Sequence, residues 1–355
     1  MSSRPHILSF LLIAGGLLGF ATSGGGDTTD LCEGAEINLK VVKEALEQGQ
    51  WSKAEEFLQP LGRSHPGCSE VVLSMARLRA AQEDLAEAER LFSRALMLAP
   101  DDAVAHAFFA RFQLSRSLLP QAARLTAQAL AIDPDCTEAL VVRGKILGLR
   151  GLFGESRVEL EKAVALDPAS FEAHYEIGVW FYRVNLFEQA ARHFESAVAL
   201  RPQNTRSLDY LAVSLEMLGE GERAETVYRR ALEANSGPFF DPTLDFNFGR
   251  FLLKQGRLEE SLVHIDRAIA LFPERRGPRY QRAKIRLAQG DYAAARQDAE
   301  RALALGKPDD IVLDLQVYYL LSTIYSRLGE AELAKKYAEL ARTTEIPEQV
   351  EDRRR

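Results

Sequence analysis

Apolar residues recur along the chain at spacings of three and four, the period of an amphipathic helix, with polar residues filling the opposite phases. The helical stretches are short and come in pairs. Each pair predicts a first helix, a tight turn often holding a glycine such as Gly219, Gly256, Gly290 or Gly329, and a second helix that stops before a proline. Pro66, Pro100, Pro134, Pro168 and Pro202 stand 34 residues apart. The segments Ala95-Leu96-Met97-Leu98-Ala99-Pro100, Ala129-Leu130-Ala131-Ile132-Asp133-Pro134, Ala163-Val164-Ala165-Leu166-Asp167-Pro168 and Ala197-Val198-Ala199-Leu200-Arg201-Pro202 then align without gaps. Self-similarity at this period predicts a solenoid, because no single helix pair can bury its apolar stripe alone. Ala88, Ala122, Ala190, Ala224 and Ala334 are small enough to let the two helices of a pair approach closely. The period breaks at 236–241 and at 310–314. Ser236-Gly237-Pro238-Phe239-Phe240-Asp241-Pro242 cannot continue a helix through its prolines. Phe239 and Phe240 either staple the neighbouring helix ends or offer a contact to a partner, and the sequence leaves both open.

The unit at 171–204 carries Ile177-Gly178, Phe181, Ala190, Phe194, Ala197 and Pro202, and the next carries Leu208, Leu211-Ala212, Leu215, Ala224, Tyr228 and Ala231. This pattern resembles the tetratricopeptide repeat, with His174 where that family often has Trp. The resemblance implies an all-α fold, a right-handed superhelical solenoid of about nine helix-turn-helix units. They fall at 35–68, 69–102, 103–136, 137–170, 171–204, 205–238, 242–275, 276–309 and 315–348. Arg143 and Arg282 occupy positions where the family has apolar residues, which implies looser helices there or a partner group that answers the charge. Lys335, Lys336, Glu339 and Arg342 are expected to expose a polar end surface before a charged tail at 349–355.

In this family the first helices line a concave groove that holds another protein or an extended peptide. A column in the first helices contains Lys43, Arg77, Arg111 and Lys145, again 34 residues apart, and Arg250 and Lys284 return to its phase. Four residues before each come Leu39, Leu73, Ala107, Val141, Phe246 and Tyr280, and Tyr175 and Tyr182 lie on the same face. A basic row flanked by aliphatic and aromatic surface suits an acidic peptide. Glu36, Glu70, Glu138 and Glu172 form a parallel acidic row that would neutralise the cations instead. The Lys/Asn clamp with which family members hold a carboxyl-terminal peptide is not found, which argues against recognition of chaperone tails.

Hydrophobic residues make up 46% of the 355 residues and charged residues 27%, normal for a folded chain. The net charge of -7 disfavours nucleic acid as a partner, because neutralising phosphates takes a Lys/Arg excess. Arg4, the apolar run 7–20 and the small residues Ala21, Thr22 and Ser23 read as a secretory signal over 1–23, followed by a linker at 24–34. The run is too short for a comfortable membrane span, although an uncleaved anchor is the alternative. The mature chain is thus expected to be exported, periplasmic or secreted, with no membrane span.

Cys32, Cys68 and Cys136 form no CxxC and no Cys/His cluster, so a zinc site is not expected. Cys32 precedes the first helix and Cys68 follows the second, ends that an antiparallel pair brings together, so a Cys32–Cys68 disulfide is expected with Cys136 free. No hydrolase, metalloprotease or nucleotide-binding motif is present. Gly219-Glu220-Gly221-Glu222-Arg223-Ala224 matches the letters of a dinucleotide fingerprint but joins two helices. His106 and His174 hold equivalent packing positions. No catalytic, cofactor-binding or metal-binding residue is nominated, and no cofactor is implied. The expected function is a non-enzymatic scaffold or adaptor. The alternative is an accessory subunit of an envelope enzyme or of a polysaccharide export and assembly machine.

Overall fold

A computed structural model describes residues 30–236, 240–305 and 312–344. Residues 1–23, expected to be an export signal, most of the expected linker, Phe239 and the expected tail at 349–355 lie outside the described residues.

Among the described residues eighteen α-helices follow one another in pairs. The first four pairs are α1 (Glu36–Glu47) and α2 (Trp51–Ser64), α3 (Ser69–Ala81) and α4 (Leu85–Leu98), α5 (Ala103–Ser115) and α6 (Leu119–Ile132), and α7 (Thr137–Leu149) and α8 (Phe153–Leu166). The middle pairs are α9 (Phe171–Arg183) and α10 (Phe187–Leu200), and α11 (Thr205–Met217) and α12 (Gly221–Ala234). The last three are α13 (Leu244–Lys254) and α14 (Leu258–Leu271), α15 (Arg276–Gln289) and α16 (Tyr292–Ala304), and α17 (Asp314–Arg327) and α18 (Ala331–Thr343). The fold is an all-helical solenoid. Successive first helices touch at every junction, whereas successive second helices do not approach comparably, so the array curves with its first helices on the inner face.

Local chemistry sets the helix ends. Asp84, Asp102, Ser170, Asn204 and Asp291 each accept a hydrogen bond from the backbone N–H three residues on. Every turn within a pair places one residue in the left-handed region, at 49, 83, 117, 151, 185, 219, 256, 290 and 329. Six of these are glycine, and the others are Glu83, Ser117 and Asn185. The periodic prolines have a second role beyond stopping helices. The following unit binds their carbonyls: Arg94 to Pro66 at 2.6 Å, Lys162 to Pro134 at 2.9 Å and Arg230 to Pro202 at 3.0 Å. His106 and His174 donate through Nε2 to the carbonyls of Pro100 and Pro168, at 2.9 and 3.1 Å. Their shared phase thus reflects a shared structural bond.

Within each pair the helices meet at small residues. Ala54, Ala88, Ala122, Ala190, Ala224 and Ala295 are fully buried. At the same position Ser156 and Ser261 are also buried, and each hydroxyl donates at 2.7 Å to the carbonyl of the glycine opposite, Gly144 or Gly249. Ala334 in the last pair is only half-buried, and α18 buries Ala341 alone, leaving Lys335, Lys336, Glu339 and Arg342 exposed.

The two arginines at apolar positions are answered within the chain. Arg143 pairs with Glu159, and Arg282 is clamped by Asp298 through two bonds, at 2.8 and 2.7 Å, and by Asp266 at 2.7 Å. The helices around them are regular. At the amino-terminal end Asp30–Cys32 forms a 3-10 turn, and Cys32 is joined to Cys68 by a disulfide with a Cα–Cα separation of 4.9 Å. The final part of the expected linker is therefore tied to the first unit. Cys136 is free and buried.

Candidate partner-binding groove

Three surfaces among the described residues of the inner face carry most of the side chains read from the sequence. The first lies between α3, α5 and α9. Phe108 on α5 is sandwiched by two guanidinium groups, with Arg77 Cζ 4.1 Å and Arg111 Cζ 4.6 Å from its ring centre. Arg111 reaches Glu172 on α9 at 3.4 Å, and Arg201 holds the same carboxylate through two bonds, at 3.0 and 3.3 Å. Burial alone would raise the Glu172 carboxyl, but Arg111 and Arg201 outweigh it and hold the group below its ordinary value. Arg77 makes no ion pair within 4.0 Å among the described residues. Burial, and the charge of Arg111 beside it, lower its pKa to about 10.

The second surface is a cleft of about 570 Å³ walled by α9, α11, α13 and the start of α15. Tyr175 and Tyr182 from α9, Tyr210 from α11 and Phe246 from α13 line it. Tyr210 lies edge-on to both other tyrosines, with ring centres 6.0 Å from Tyr175 and 5.3 Å from Tyr182, and stacks on Phe194 beneath at 5.2 Å. Two carboxylates share the cleft, Asp209 and Asp241, at 5% and 6% exposure. Asp209 Oδ2 accepts a hydrogen bond from Asn247 Nδ2 at 2.7 Å, while Oδ1 is buried and has no hydrogen-bond partner among the described residues. Burial, and then the charge of Asp241, push the Asp209 carboxyl up to about 7. The third surface joins α15 to α17, where Tyr280 and Lys284 line a shallow cavity with Tyr319 and Leu320. Lys284 lies 5.7 Å from the Tyr280 ring centre, and burial followed by Lys254 and Arg250 lowers its pKa.

The column read from the sequence is thus divided. Lys43 pairs with Glu70, Lys145 with Glu176 at 2.5 Å and Arg250 with Glu216 at 3.4 Å, a carboxylate that also holds Lys254 at 2.5 Å. With Arg111 on Glu172, four of the six cations answer carboxylates of this chain, and Glu70 and Glu172 come from the acidic row. Arg77 and Lys284 are the two without an ion pair among the described residues. The structure brings Arg77 together with Arg111, Tyr175 and Tyr182 with Phe246, and Tyr280 with Lys284. Phe108, Arg201, Asp209, Tyr210 and Asp241 were not nominated from the sequence. A signal for Asp209 was present: it continues the column Leu39, Leu73, Ala107, Val141, Tyr175 at the same 34-residue step, putting an acid where every earlier unit has an apolar or aromatic side chain. Among the described residues no group of His, Cys, Asp and Glu is placed to hold a metal ion, and no helix is long and apolar enough to cross a membrane.

Family models described as tetratricopeptide repeat match residues 40–103, 175–237 and 246–310, residues 79–146, and residues 315–341. No curated protein matches the chain. Among solved structures, PilF of Pseudomonas aeruginosa is similar at 21% identity over 58% of this chain and 90% of that one, with a TM-score of 0.50. The human IFIT1 dimer with PPP-AAAA is similar at 19% identity over 86% of this chain and 71% of that one, with a TM-score of 0.56. At these identities the likeness is one of fold. With an all-helical array whose pairs, turns and small-residue contacts repeat along the described chain, and with repeat models matching most of its length, the chain belongs to the tetratricopeptide repeat family.

Proposed function

We propose that this protein is a non-enzymatic scaffold or adaptor that binds an extended segment of a partner protein along the inner face of its first helices. The observation that carries this reading is the cleft between α9 and α15. Its tyrosines Tyr175, Tyr182 and Tyr210 are half-buried and keep part of their surface exposed, while Phe246 is buried at 8% exposure. A pleated, extended segment fits such a surface because its alternate side chains can enter successive clefts while its backbone lies over the polar rim. Acidic side chains in that segment would meet Arg77 and Lys284. At Lys43, Arg111, Lys145 and Arg250 they would have to displace carboxylates of this chain. The likeness to IFIT1 does not bring nucleic acid into this reading, since the net charge of -7 opposes it. We place the protein in an exported compartment, periplasmic or secreted, on the strength of residues 1–23.

The test is capture of partners with the chain lacking residues 1–23, compared with two variants. One is the triple change Arg77→Ala, Arg111→Ala and Lys145→Ala, and the other is Tyr182→Ala with Phe246→Ala; because Phe246 also packs on Ile265 and Ile285, each variant is first shown by circular dichroism and thermal melting to be folded at the capture temperature. Loss of the captured partner with the aromatic variant at every salt concentration supports groove binding. Loss with the triple variant only at low salt assigns acidic character to the partner segment. Undiminished capture by both variants would overturn the groove reading. Amino-terminal sequencing of the protein from its host checks export: a start at or near Gly24 supports it, and a start at Met1 in the membrane fraction refutes it.

A further inference from the structure

The cleft between α9 and α15 combines features that suit a positive charge. Tyr175, Tyr182, Tyr210 and Phe246 supply aromatic surface, and Asp209 and Asp241 supply buried carboxylates in the same lining. Asp241 is engaged locally, its Oδ1 accepting from the Thr243 backbone N–H at 2.9 Å and from the Thr243 hydroxyl at 2.7 Å, so it shapes the start of α13. Asp209 is different. Its Oδ1 is buried with no hydrogen-bond partner among the described residues, and a buried carboxylate oxygen left unpaired costs more than an exposed one.

The chain has cations nearby that do not fill this role. Arg206 and Arg275 also line the cleft, but both are exposed and neither makes an ion pair within 4.0 Å among the described residues; Arg275 lies over Phe272 instead, at 4.4 Å. Arg250 reaches Glu216 through Nη2 at 3.4 Å, and its buried Nε has no hydrogen-bond partner among the described residues. No cation of the described residues meets Asp209 Oδ1, which leaves that position to one brought from outside on a stem long and apolar enough to lie along the tyrosines. Lysine and arginine side chains have that form: an aliphatic stem that packs on aromatic rings, and a head that donates to a carboxylate and is attracted to ring faces.

We propose that the cleft is a specificity pocket for one basic side chain, Lys or Arg, of the extended partner segment, with Asp209 as its charge acceptor. This rests on the groove reading above and adds the chemistry of one position in the segment. It also orients the segment, because the basic side chain enters at α9 to α13 while the two-arginine sandwich on Phe108 lies toward the amino-terminal end of the same face.

A display library of random dodecapeptides selected on the purified chain tests the proposal, with parallel selections on Asp209→Asn and on Tyr182→Ala with Phe246→Ala. Asp209→Asn keeps the side-chain size and an oxygen for Asn247, so it preserves the fold, and circular dichroism with thermal melting verifies that. The expected result is enrichment of Lys or Arg at one peptide position on the parent chain, absent from selections on Asp209→Asn. Replacing that Lys by norleucine in a selected peptide should weaken binding to the parent chain roughly ten- to hundred-fold and change binding to Asp209→Asn little. Peptides that depend on Tyr182 and Phe246 but show no basic preference, or that bind Asp209→Asn as well as the parent chain, would overturn the pocket while leaving the groove reading intact. Recovery of no peptide that the double aromatic variant loses would overturn both.

Discussion

Asn247 on α13 donates to Asp209 on α11 at 2.7 Å, and this bond spans the joint at which the repeat lengthens, since Phe246 stands 37 residues after Asp209 where earlier units step by 34. Only one carboxylate oxygen is satisfied by it, and the other is buried with no hydrogen-bond partner among the described residues. The inner face therefore carries an acid whose ionised form is poorly solvated, held in place by a neighbour that cannot neutralise it.

The first prediction follows from that acid. Its pKa is raised to about 7 in the folded chain against about 3.9 when unfolded, so the folded state favours the proton. Its contribution is most favourable below pH 4 and is lost as pH rises through 7. Asp209→Asn should therefore be more stable than the parent by about 2–4 kcal/mol at pH 8, with the difference vanishing near pH 4. Urea unfolding at the two pH values checks this; equal differences at both would contradict it.

Turn and contact glycines should respond in opposite ways. Glu83 and Ser117 are exposed residues at φ of 62° and 61°, so Glu83→Gly and Ser117→Gly should each stabilise by about 1 kcal/mol through relief of backbone strain. Gly178 is constrained by space, because a Cβ there would lie 2.8 Å from Phe194 Cε1. Gly178→Ala should cost about 1–3 kcal/mol, since Phe194 is fully buried and its ring has little room to move. Thermal melting of the three variants separates the two causes.

The clamp on Arg282 predicts asymmetric losses. Asp298 is 3% exposed and holds both Arg282 and Arg286, at 2.7 and 2.8 Å. Asp298→Ala leaves Arg286 without its carboxylate and Arg282 with Asp266 alone, and should cost about 2–3 kcal/mol. Arg282→Met leaves Asp298 with Arg286 and should cost less, and the double variant should fall below the sum of the two. A double-mutant cycle by chemical denaturation measures the coupling, and additive losses would refute it.

Reduction of Cys32–Cys68 should loosen the first unit selectively. The bridge closes 36 residues, for which chain entropy predicts about 3–4 kcal/mol. Hydrogen exchange in α1 and α2 should quicken on reduction, with α9 to α12 unchanged, because stability in such an array passes between neighbours. Cys136 should alkylate slowly in the intact protein, since burial pushes its thiol up to about 11. Rapid labelling of one thiol in the unreduced chain would contradict this.

Much of the architecture was legible in the sequence because it is local and repeated. A 34-residue step in prolines and alanines is enough to announce helix pairs that stop, turn and stack, and the shared phase of His106 and His174 already implied a common contact. The cysteine pair could be reasoned out for the same cause, since an antiparallel pair returns its second end to its first. The sequence put the column on the first helices, but not the partners that its residues find there. Lys43, Arg77, Arg111 and Lys145 are one column in the sequence and have different partners in space, because ion pairing depends on side-chain reach across two or more helices rather than on phase. Glu172, 61 residues from Arg111, is the example. Asp209 could be seen as an acid in an apolar column, but its burial, its single bond to Asn247 and its place in one lining with three tyrosines exist only once α9, α11 and α13 pack together. Sequence periodicity set the frame of this protein, whereas desolvation, which depends on every neighbour at once, was decided by the tertiary structure alone.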